Sequence, residues 1–215
     1  MIIEARYNGP PGSGNGGYSA GVFAEAAGLG TLGEVTLRLP PPLETPMSIR
    51  DGSVYSGADL IATTAEVDSP LPDPVPPVAY EEAEAASPSY LGFVHHPFPT
   101  CYVCGVDRAD GLGVHPGRLD DGRLAAHFVA PSDASARTVW AALDCPGGWS
   151  VGQEDRPHVL GRIAVRVDAV PAPGDRCVVM GQFTGREGRK AWTLSSLYSP
   201  TGALLATARA TWIAL

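Results

Sequence analysis

Ser196-Leu197-Tyr198-Ser199, followed by Leu204-Leu205-Ala206-Thr207, repeats an earlier stretch of the same chain. In the first half, Ser53-Val54-Tyr55-Ser56 is followed by Leu60-Ile61-Ala62-Thr63. In both copies two β-prone runs flank a short turn sequence that contains glycine. This pattern predicts a β-hairpin in each half. A repeat of this kind indicates that one structural unit is present twice.

A proline-rich stretch separates the two copies. Ser69 to Pro77 contains five prolines in nine residues, which excludes a regular helix or a central strand. The alanine- and glutamate-rich residues 80–86 that follow favour a short surface helix or an irregular segment. We therefore expect an N-terminal unit over residues 1–68, a linker over 69–90 and a C-terminal unit over 91–215.

Each half also has one helix candidate, over Tyr18 to Ala27 and over roughly Ala134 to Cys145. Gly28 and Gly30 are a plausible stop for the first helix, and Pro146-Gly147-Gly148 for the second. One helix before a strand meander in each half predicts an α+β fold.

The strand candidates share a period-two alternation of apolar and polar residues. They are Val35 to Leu39 and Val165 to Ala169, each ending at prolines, and Gly111 to Pro116 and Arg123 to Val129, joined by the turn Asp120-Asp121-Gly122. Ile2 to Tyr7 is the candidate for a shortened counterpart of this last pair in the first half.

Composition excludes some classes of function. The net charge is −8, and the cations are 14 arginines and Lys190, so nonspecific binding to nucleic acid is not expected. No apolar run reaches the length of a membrane-spanning helix, and the N-terminus does not resemble a secretory signal. We expect a cytoplasmic protein.

A helix wrapped by an antiparallel sheet, present twice, resembles the double hot-dog arrangement of acyl-CoA thioesterases and dehydratases. The motif Cys101-Tyr102-Val103-Cys104-Gly105, followed by Gly111-Leu112-Gly113-Val114, is similar to the Cys-Phe-x-Cys-Gly…Gly-Leu opening of PaaI-like hot-dog thioesterases. Asp107 and Arg108 stand between these elements, where those families often have Asn.

The resemblance also implies a catalytic site. PaaI-like thioesterases carry His-Gly-Gly at the start of the central helix and an acidic residue nine positions after the His. Here Asn15-Gly16-Gly17 looks like the first element, but Ala24 stands at the acidic position. In the second half Asp144 fits the acidic position, but nine residues earlier stands Ser135, without the two glycines.

In these enzymes the acid and the glycine come from opposite units of a pair. The resemblance therefore implies one composite site, in which the N–H of Gly17 polarises the thioester carbonyl, Asn15 helps to orient it, and Asp144 is base or nucleophile. The hypothesis requires the Gly17 nitrogen and the Asp144 carboxylate to lie within roughly 10 Å of each other. Gly16, Tyr18 and Arg137 are the candidate substrate-binding residues.

Other interpretations of these residues stay open. Residues 10–17 could form a simple glycine-rich loop, although the Lys of a phosphate-binding loop is missing. Asp144 could be a surface residue near a helix end. Cys101 and Cys104 could begin a zinc site with His95 or His96 nearby, and Cys145 could approach them in space, but free thiols packed as apolar groups are the better interpretation. We therefore expect no metal and no cofactor.

The sequence thus predicts a hydrolase acting on an acyl-CoA or acyl-carrier thioester. The alternatives are a non-catalytic protein of the same fold that binds an acyl thioester or lipid, and, ranked last, a hot-dog dehydratase or hydratase, which usually needs a catalytic His. Edge strands make a homodimer of the fused chain a further expectation.

Overall fold

The computed structural model describes residues 1–67, 69–153 and 156–215. Three α-helices and ten strands form in the described part. The helices are α1 (Gly16–Ala26), α2 (Tyr80–Ala86) and α3 (Ala136–Ser150). The strands are β1 (Leu32–Leu37), β2 (Ser48–Arg50), β3 (Ser53–Ser56), β4 (Asp59–Glu66), β5 (Gly117–Arg118), β6 (Leu124–Val129), β7 (His158–Val167), β8 (Arg176–Glu187), β9 (Lys190–Tyr198) and β10 (Leu204–Ala214). None of these helices is long and apolar enough to cross a membrane.

All ten strands belong to one antiparallel sheet with the order β2-β3-β4-β1-β7-β10-β9-β8-β6-β5. The predicted hairpins are β3–β4 and β9–β10. Strand β1 of the first half pairs with β7 of the second, with Val35 opposite Ile163. The sheet is therefore continuous across the two halves, and each half wraps one long helix, as the α+β double hot-dog prediction requires.

The two long helices lie side by side on one face of the sheet. Gly21 of α1 makes their close approach possible, because a Cβ at that position would lie 3.0 Å from the Trp140 Cβ and 3.1 Å from the Arg137 Cα. Phe23 and Leu143 are almost completely buried in the core around these helices. This pairing brings the start of α1 close to the middle of α3.

The linker and α2 cover the other face of the sheet. Alternate residues of β8 point to opposite faces, so Val179 joins the core under the long helices and Val178 joins a second cluster with Val75 and Ala83. The backbone of Val75 is held by the Tyr198 hydroxyl, which donates to its carbonyl at 2.6 Å. The proline-rich stretch is therefore an extended strap packed on the sheet. The proposed unit boundaries at residues 68 and 90 stay a prediction.

Two predicted strands are absent, for reasons of hydrogen bonding. Within the expected strand Gly111 to Pro116, the N–H groups of Leu112 and Val114 donate to the carbonyls of Tyr102 and Val103, and the backbone is irregular. Within Ile2 to Tyr7, Ala5–Tyr7 forms a 3₁₀ turn in which the Tyr7 N–H donates to Glu4. A local turn in one segment, and bonds to the Tyr102 loop in the other, thus take the place of a sheet ladder.

The expected stop of the second helix at Pro146-Gly147-Gly148 was also wrong, because α3 continues to Ser150. The small residues serve close packing instead. A Cβ on Gly147 would lie 2.7 Å from the Thr193 Oγ1, and one on Gly148 would lie 2.7 Å from the Trp212 ring. Contacts with the sheet thus override the helix-breaking preference of these residues. As a result, Asp144 lies within the helix and not near its end.

Candidate functional site

Asp144 lies in α3 where that helix packs against α1. Its carboxyl group is buried, and the start of α1 supplies its hydrogen-bond donors. Its Oδ2 accepts the backbone N–H of Gly17 at 2.9 Å and the Nδ2 of Asn15 at 3.0 Å. Its Oδ1 is buried and has no hydrogen-bond partner in the described part of the chain. An unpaired buried oxygen is costly for a charged carboxylate, so this environment favours the protonated carboxyl group.

Asn15 fixes this arrangement from the N-terminus of α1. Its Oδ1 accepts the backbone N–H of Tyr18 at 2.8 Å, which caps the helix, so its Nδ2 is left to donate to Asp144. Its own backbone N–H donates to the Tyr7 carbonyl. The side-chain amide of Asn15 is thus held through both its oxygen and its nitrogen, and the residue is 2 % exposed.

The protonation of Asp144 reflects this burial. Desolvation raises the pKa of Asp144 to about 7, against the lowering effect of the Gly17 and Asn15 hydrogen bonds. The carboxyl group can therefore exchange a proton near neutral pH, which is a property that acid–base catalysis uses.

Gly17 is confined by the opposite helix. A Cβ at this position would lie 2.5 Å from the carbonyl oxygen of Trp140 and 2.6 Å from the Cβ of Asp144. No side chain fits there without moving the helices apart. Gly16 is equally restricted, because its Cβ would lie 2.8 Å from Leu160. The two glycines allow the start of α1 to pack directly against Asp144.

A cavity of about 470 Å³ opens beside these groups, a size typical of small-molecule sites. Asn15, Gly16 and Asp144 form part of its wall. Most of the remaining wall is apolar and includes Leu37, Leu39, Phe98, Trp149, Leu160 and Trp212. Both halves of the chain therefore contribute to one cavity.

The structure thus brings together three of the residues that the sequence singled out, Asn15, Gly17 and Asp144. The Gly17 nitrogen lies 2.9 Å from the Asp144 carboxylate, well inside the limit of roughly 10 Å set from the sequence. That N–H already donates to Asp144, however, so it is not free to polarise a substrate carbonyl in this arrangement. The chemical roles of these residues stay predictions.

Two of the three predicted substrate-binding residues lie outside the wall of this cavity. The ring of Tyr18 stacks on Tyr7 with centroids 3.8 Å apart. The guanidinium of Arg137 binds the Glu25 carboxylate through two hydrogen bonds of 2.7 and 2.9 Å. Among the three, Gly16 contributes to the cavity wall.

Sequence reasoning missed several polar residues of the cavity wall, among them Gln153 and His158. The Gln153 side chain accepts the His158 N–H at 2.7 Å and donates to its carbonyl at 3.0 Å. Burial lowers the pKa of His158, which favours the neutral imidazole. Neither residue belongs to a recognisable motif, so their spacing offered no signal.

No protein-family model matches this chain, and no curated protein matches it. Solved structures are nevertheless similar over the full length. The TesB protein of Mycobacterium avium subspecies paratuberculosis has a TM-score of 0.62 at 10% identity, covering 100% of this chain and 91% of that one. A candidate thioesterase II from Thermobifida fusca has a TM-score of 0.62 at 14% identity, covering 100% and 95%.

A third similar structure is a protein with the hot-dog fold from Alicyclobacillus acidocaldarius. Its TM-score is 0.60 at 15% identity, covering 99% of this chain and 91% of that one. These similarities establish the fold as hot-dog.

Proposed function

We propose that this protein hydrolyses an acyl thioester, such as an acyl-CoA or an acyl-carrier thioester, at a composite site between its two halves. The observation that carries the proposal is the buried carboxyl group of Asp144 in the wall of an apolar cavity. One of its oxygens is held by two donors from the other half, and the other oxygen has no partner among the described residues. The full-length similarity to thioesterase-type hot-dog structures supports the same reaction class.

The two donors to Oδ2 act as positioning groups. Gly17 and Asn15 hold the carboxyl group in one orientation at the cavity wall, and we assign the proton transfer to this group as a whole. As general base, Asp144 takes a proton from water while the water oxygen attacks the thioester carbonyl carbon. When the C–S bond breaks, the same proton passes to the departing thiolate, and Asp144 returns to its starting state.

The carbonyl oxygen needs a donor as negative charge develops on it. The Gly16 N–H is the first of α1 and therefore has no acceptor within the helix, and no partner occurs for it in the described residues. Gly16 also belongs to the cavity wall, and a Cβ there would lie 3.5 Å from the Asp144 Oδ2. We assign the polarising role to Gly16, since the Gly17 N–H is engaged by Asp144.

The apolar part of the cavity would hold the acyl group. Leu39, Leu160 and Trp212 contribute side chains to this region. Burying an acyl chain there removes apolar surface from water, which stabilises the bound state by roughly 25 cal/mol per Å². A neutral acyl group is therefore expected to bind better than one with a terminal carboxylate.

The test is thiol release from short, medium, long and aromatic acyl-CoAs by the wild type, Asp144→Asn and Asp144→Ala. We expect turnover by the wild type that both variants lose, while an exposed control, Asp133→Asn, keeps it. Binding of an acyl-CoA without any turnover by the wild type would instead identify a non-catalytic binding protein. A single turnover in H₂¹⁸O tests the nucleophilic role of Asp144, because label in the protein requires attack of water on the Asp144 carbonyl of a mixed anhydride.

A further inference from the structure

Three cysteine thiols meet in the wall of the same cavity, although they come from two distant parts of the chain. Cys101 and Cys104 lie in the loop before β5, and Cys145 lies in α3. Their sulfur atoms all lie within 4.8 Å of one another, and the Cys101 and Cys145 sulfurs are 3.9 Å apart. No disulfide joins them.

This spacing matches that of thiolates around a tetrahedral metal ion. With Zn–S bonds of about 2.3 Å, two sulfurs on the same ion lie about 3.8 Å apart. The observed sulfur–sulfur distances are therefore close to those around a bound ion. Small rotations of the cysteine side chains would remove the remaining difference.

A backbone hydrogen bond shapes the loop that carries Cys101 and Cys104. The Gly105 N–H donates to the Cys101 carbonyl at 2.9 Å, which closes a tight turn around the motif. A Cβ on Gly105 would lie 2.5 Å from that same oxygen, so glycine is required there. The turn orients Cys101 and Cys104 toward the same side as Cys145.

We propose that Cys101, Cys104 and Cys145 form a binding site for a thiophilic divalent d¹⁰ cation of the Zn²⁺ class, with a fourth coordination position open to the cavity. The nearby His96 is not available as the fourth ligand. Its Nδ1 accepts the Phe98 N–H at 2.9 Å, and its Nε2 lies 3.1 Å from the Cys104 carbonyl. A water molecule or a small ligand in the cavity would complete the shell.

The surroundings allow such an ion to enter and be held. All three cysteines are nearly buried, yet each contributes to the wall of the 470 Å³ cavity, which supplies an access path. The Asn15 Nδ2 lies 3.7 Å from the Cys101 sulfur and can donate to a thiolate there. Three thiolates would leave one net negative charge on a divalent ion, which this donor partly offsets.

The sequence favoured simple packing of these thiols, because a CxxC pair without a second pair is an incomplete site. The structure supplies the third sulfur from α3. This inference does not depend on the proposed hydrolase activity, since it concerns equilibrium binding of an ion.

The test is titration of the reduced, chelator-treated full chain with Cd²⁺, followed through the ultraviolet thiolate-to-cadmium absorption. We expect one ion per chain with the intensity of three thiolates. Cys104→Ser and Cys145→Ser should each weaken binding more than about tenfold. Cys177→Ser is the matched control, because Cys177 is also buried but lies in β8 outside the cluster, and it should bind like the wild type.

A second measurement needs no variant. One equivalent of Zn²⁺ should protect Cys101, Cys104 and Cys145 together from alkylation, as read by peptide mass spectrometry. The proposal is overturned if the wild type binds no stoichiometric ion, or if Zn²⁺ protects the three thiols no better than it protects Cys177.

Discussion

The Asp144 carboxylate accepts the backbone N–H of Gly17 at 2.9 Å, although the two residues are 127 positions apart in the chain. One residue lies in the first turn of α1 and the other within α3. Their contact exists because glycine lets the two helices touch at this point.

Removing the charge of Asp144 should abolish activity and stabilise the fold. Asp144→Asn keeps the shape of the side chain and an oxygen for the Gly17 N–H, so we expect kcat/KM to fall at least about 100-fold. Because a buried charge is costly, the free energy of unfolding at alkaline pH should rise by about 1–3 kcal/mol. Thiol release and urea unfolding measure the two effects. A variant that kept a tenth of the activity would contradict the assigned role.

The rate should depend on the protonation of Asp144. Burial raises the pKa of Asp144 to about 7, so the group is protonated below that pH and cannot act as a base. In chelator-treated protein, kcat/KM should therefore increase with pH and level off above about pH 7. A midpoint near the ordinary carboxyl value of about 4 would show that a buried Asp144 with a raised pKa does not set the pH dependence of the rate.

A methyl group at Gly17 should separate the helices. In Gly17→Ala the Cβ would lie 2.5 Å from the Trp140 carbonyl oxygen, so we expect a loss of about 1–3 kcal/mol in the free energy of unfolding. Activity should fall more than tenfold, by a rough estimate from the displaced carboxylate. The matched control is Gly30→Ala, where a Cβ meets no atom within 4 Å and both quantities should stay near wild type. Equal behaviour of the two variants would be evidence against this packing.

Asn15 both caps α1 and donates a hydrogen bond to Asp144. Two substitutions separate these two roles. Asn15→Ser keeps an oxygen that can cap the Tyr18 N–H but loses the amide donor to Asp144, whereas Asn15→Ala loses both. We expect both variants to lose activity, with Asn15→Ala about 1 kcal/mol less stable than a variant that keeps the cap. Steady-state kinetics and thermal unfolding measure this. Full activity in Asn15→Ser would reduce Asn15 to a helix cap.

We expect Arg137 to stabilise the packing of α1 against α3 and not to bind the substrate. It holds the Glu25 carboxylate, which lowers the pKa of Glu25. Since the folded-state pKa is the lower one, this stabilisation is present above the unfolded pKa and is lost as pH falls through the folded pKa. Arg137→Gln should cost at most about 1 kcal/mol at neutral pH, as for exposed ion pairs. The difference from wild type should vanish in acid.

The kinetic measurement for Arg137 is the KM for an acyl-CoA. We expect it to change by less than about twofold in Arg137→Gln, a difference of under 0.5 kcal/mol. A much larger increase would show that the guanidinium leaves Glu25 to bind a phosphate, as the sequence-based assignment of Arg137 to substrate binding requires.

Local sequence patterns predicted the repeated parts of the fold because they depend on short-range preferences. The two hairpins, the extended course of the proline-rich stretch and the first helix follow from alternation, turn residues and proline geometry, whereas the packing of that stretch on the sheet does not. The end of α3 and the segment at Gly111 were not predictable in this way. There, contacts with Thr193, Trp212 and the Tyr102 loop outweigh local propensity.

By itself, the sequence determined that one unit occurs twice and that Asn15, Gly17 and Asp144 are the residues to examine. The tertiary structure alone decided what each of them contacts. It showed that the Gly17 N–H is used by Asp144, that Arg137 is engaged with Glu25, and that Cys145 joins Cys101 and Cys104. These contacts depend on how two helices pack, and that packing is set by sheet register and helix separation, which no local stretch of sequence encodes.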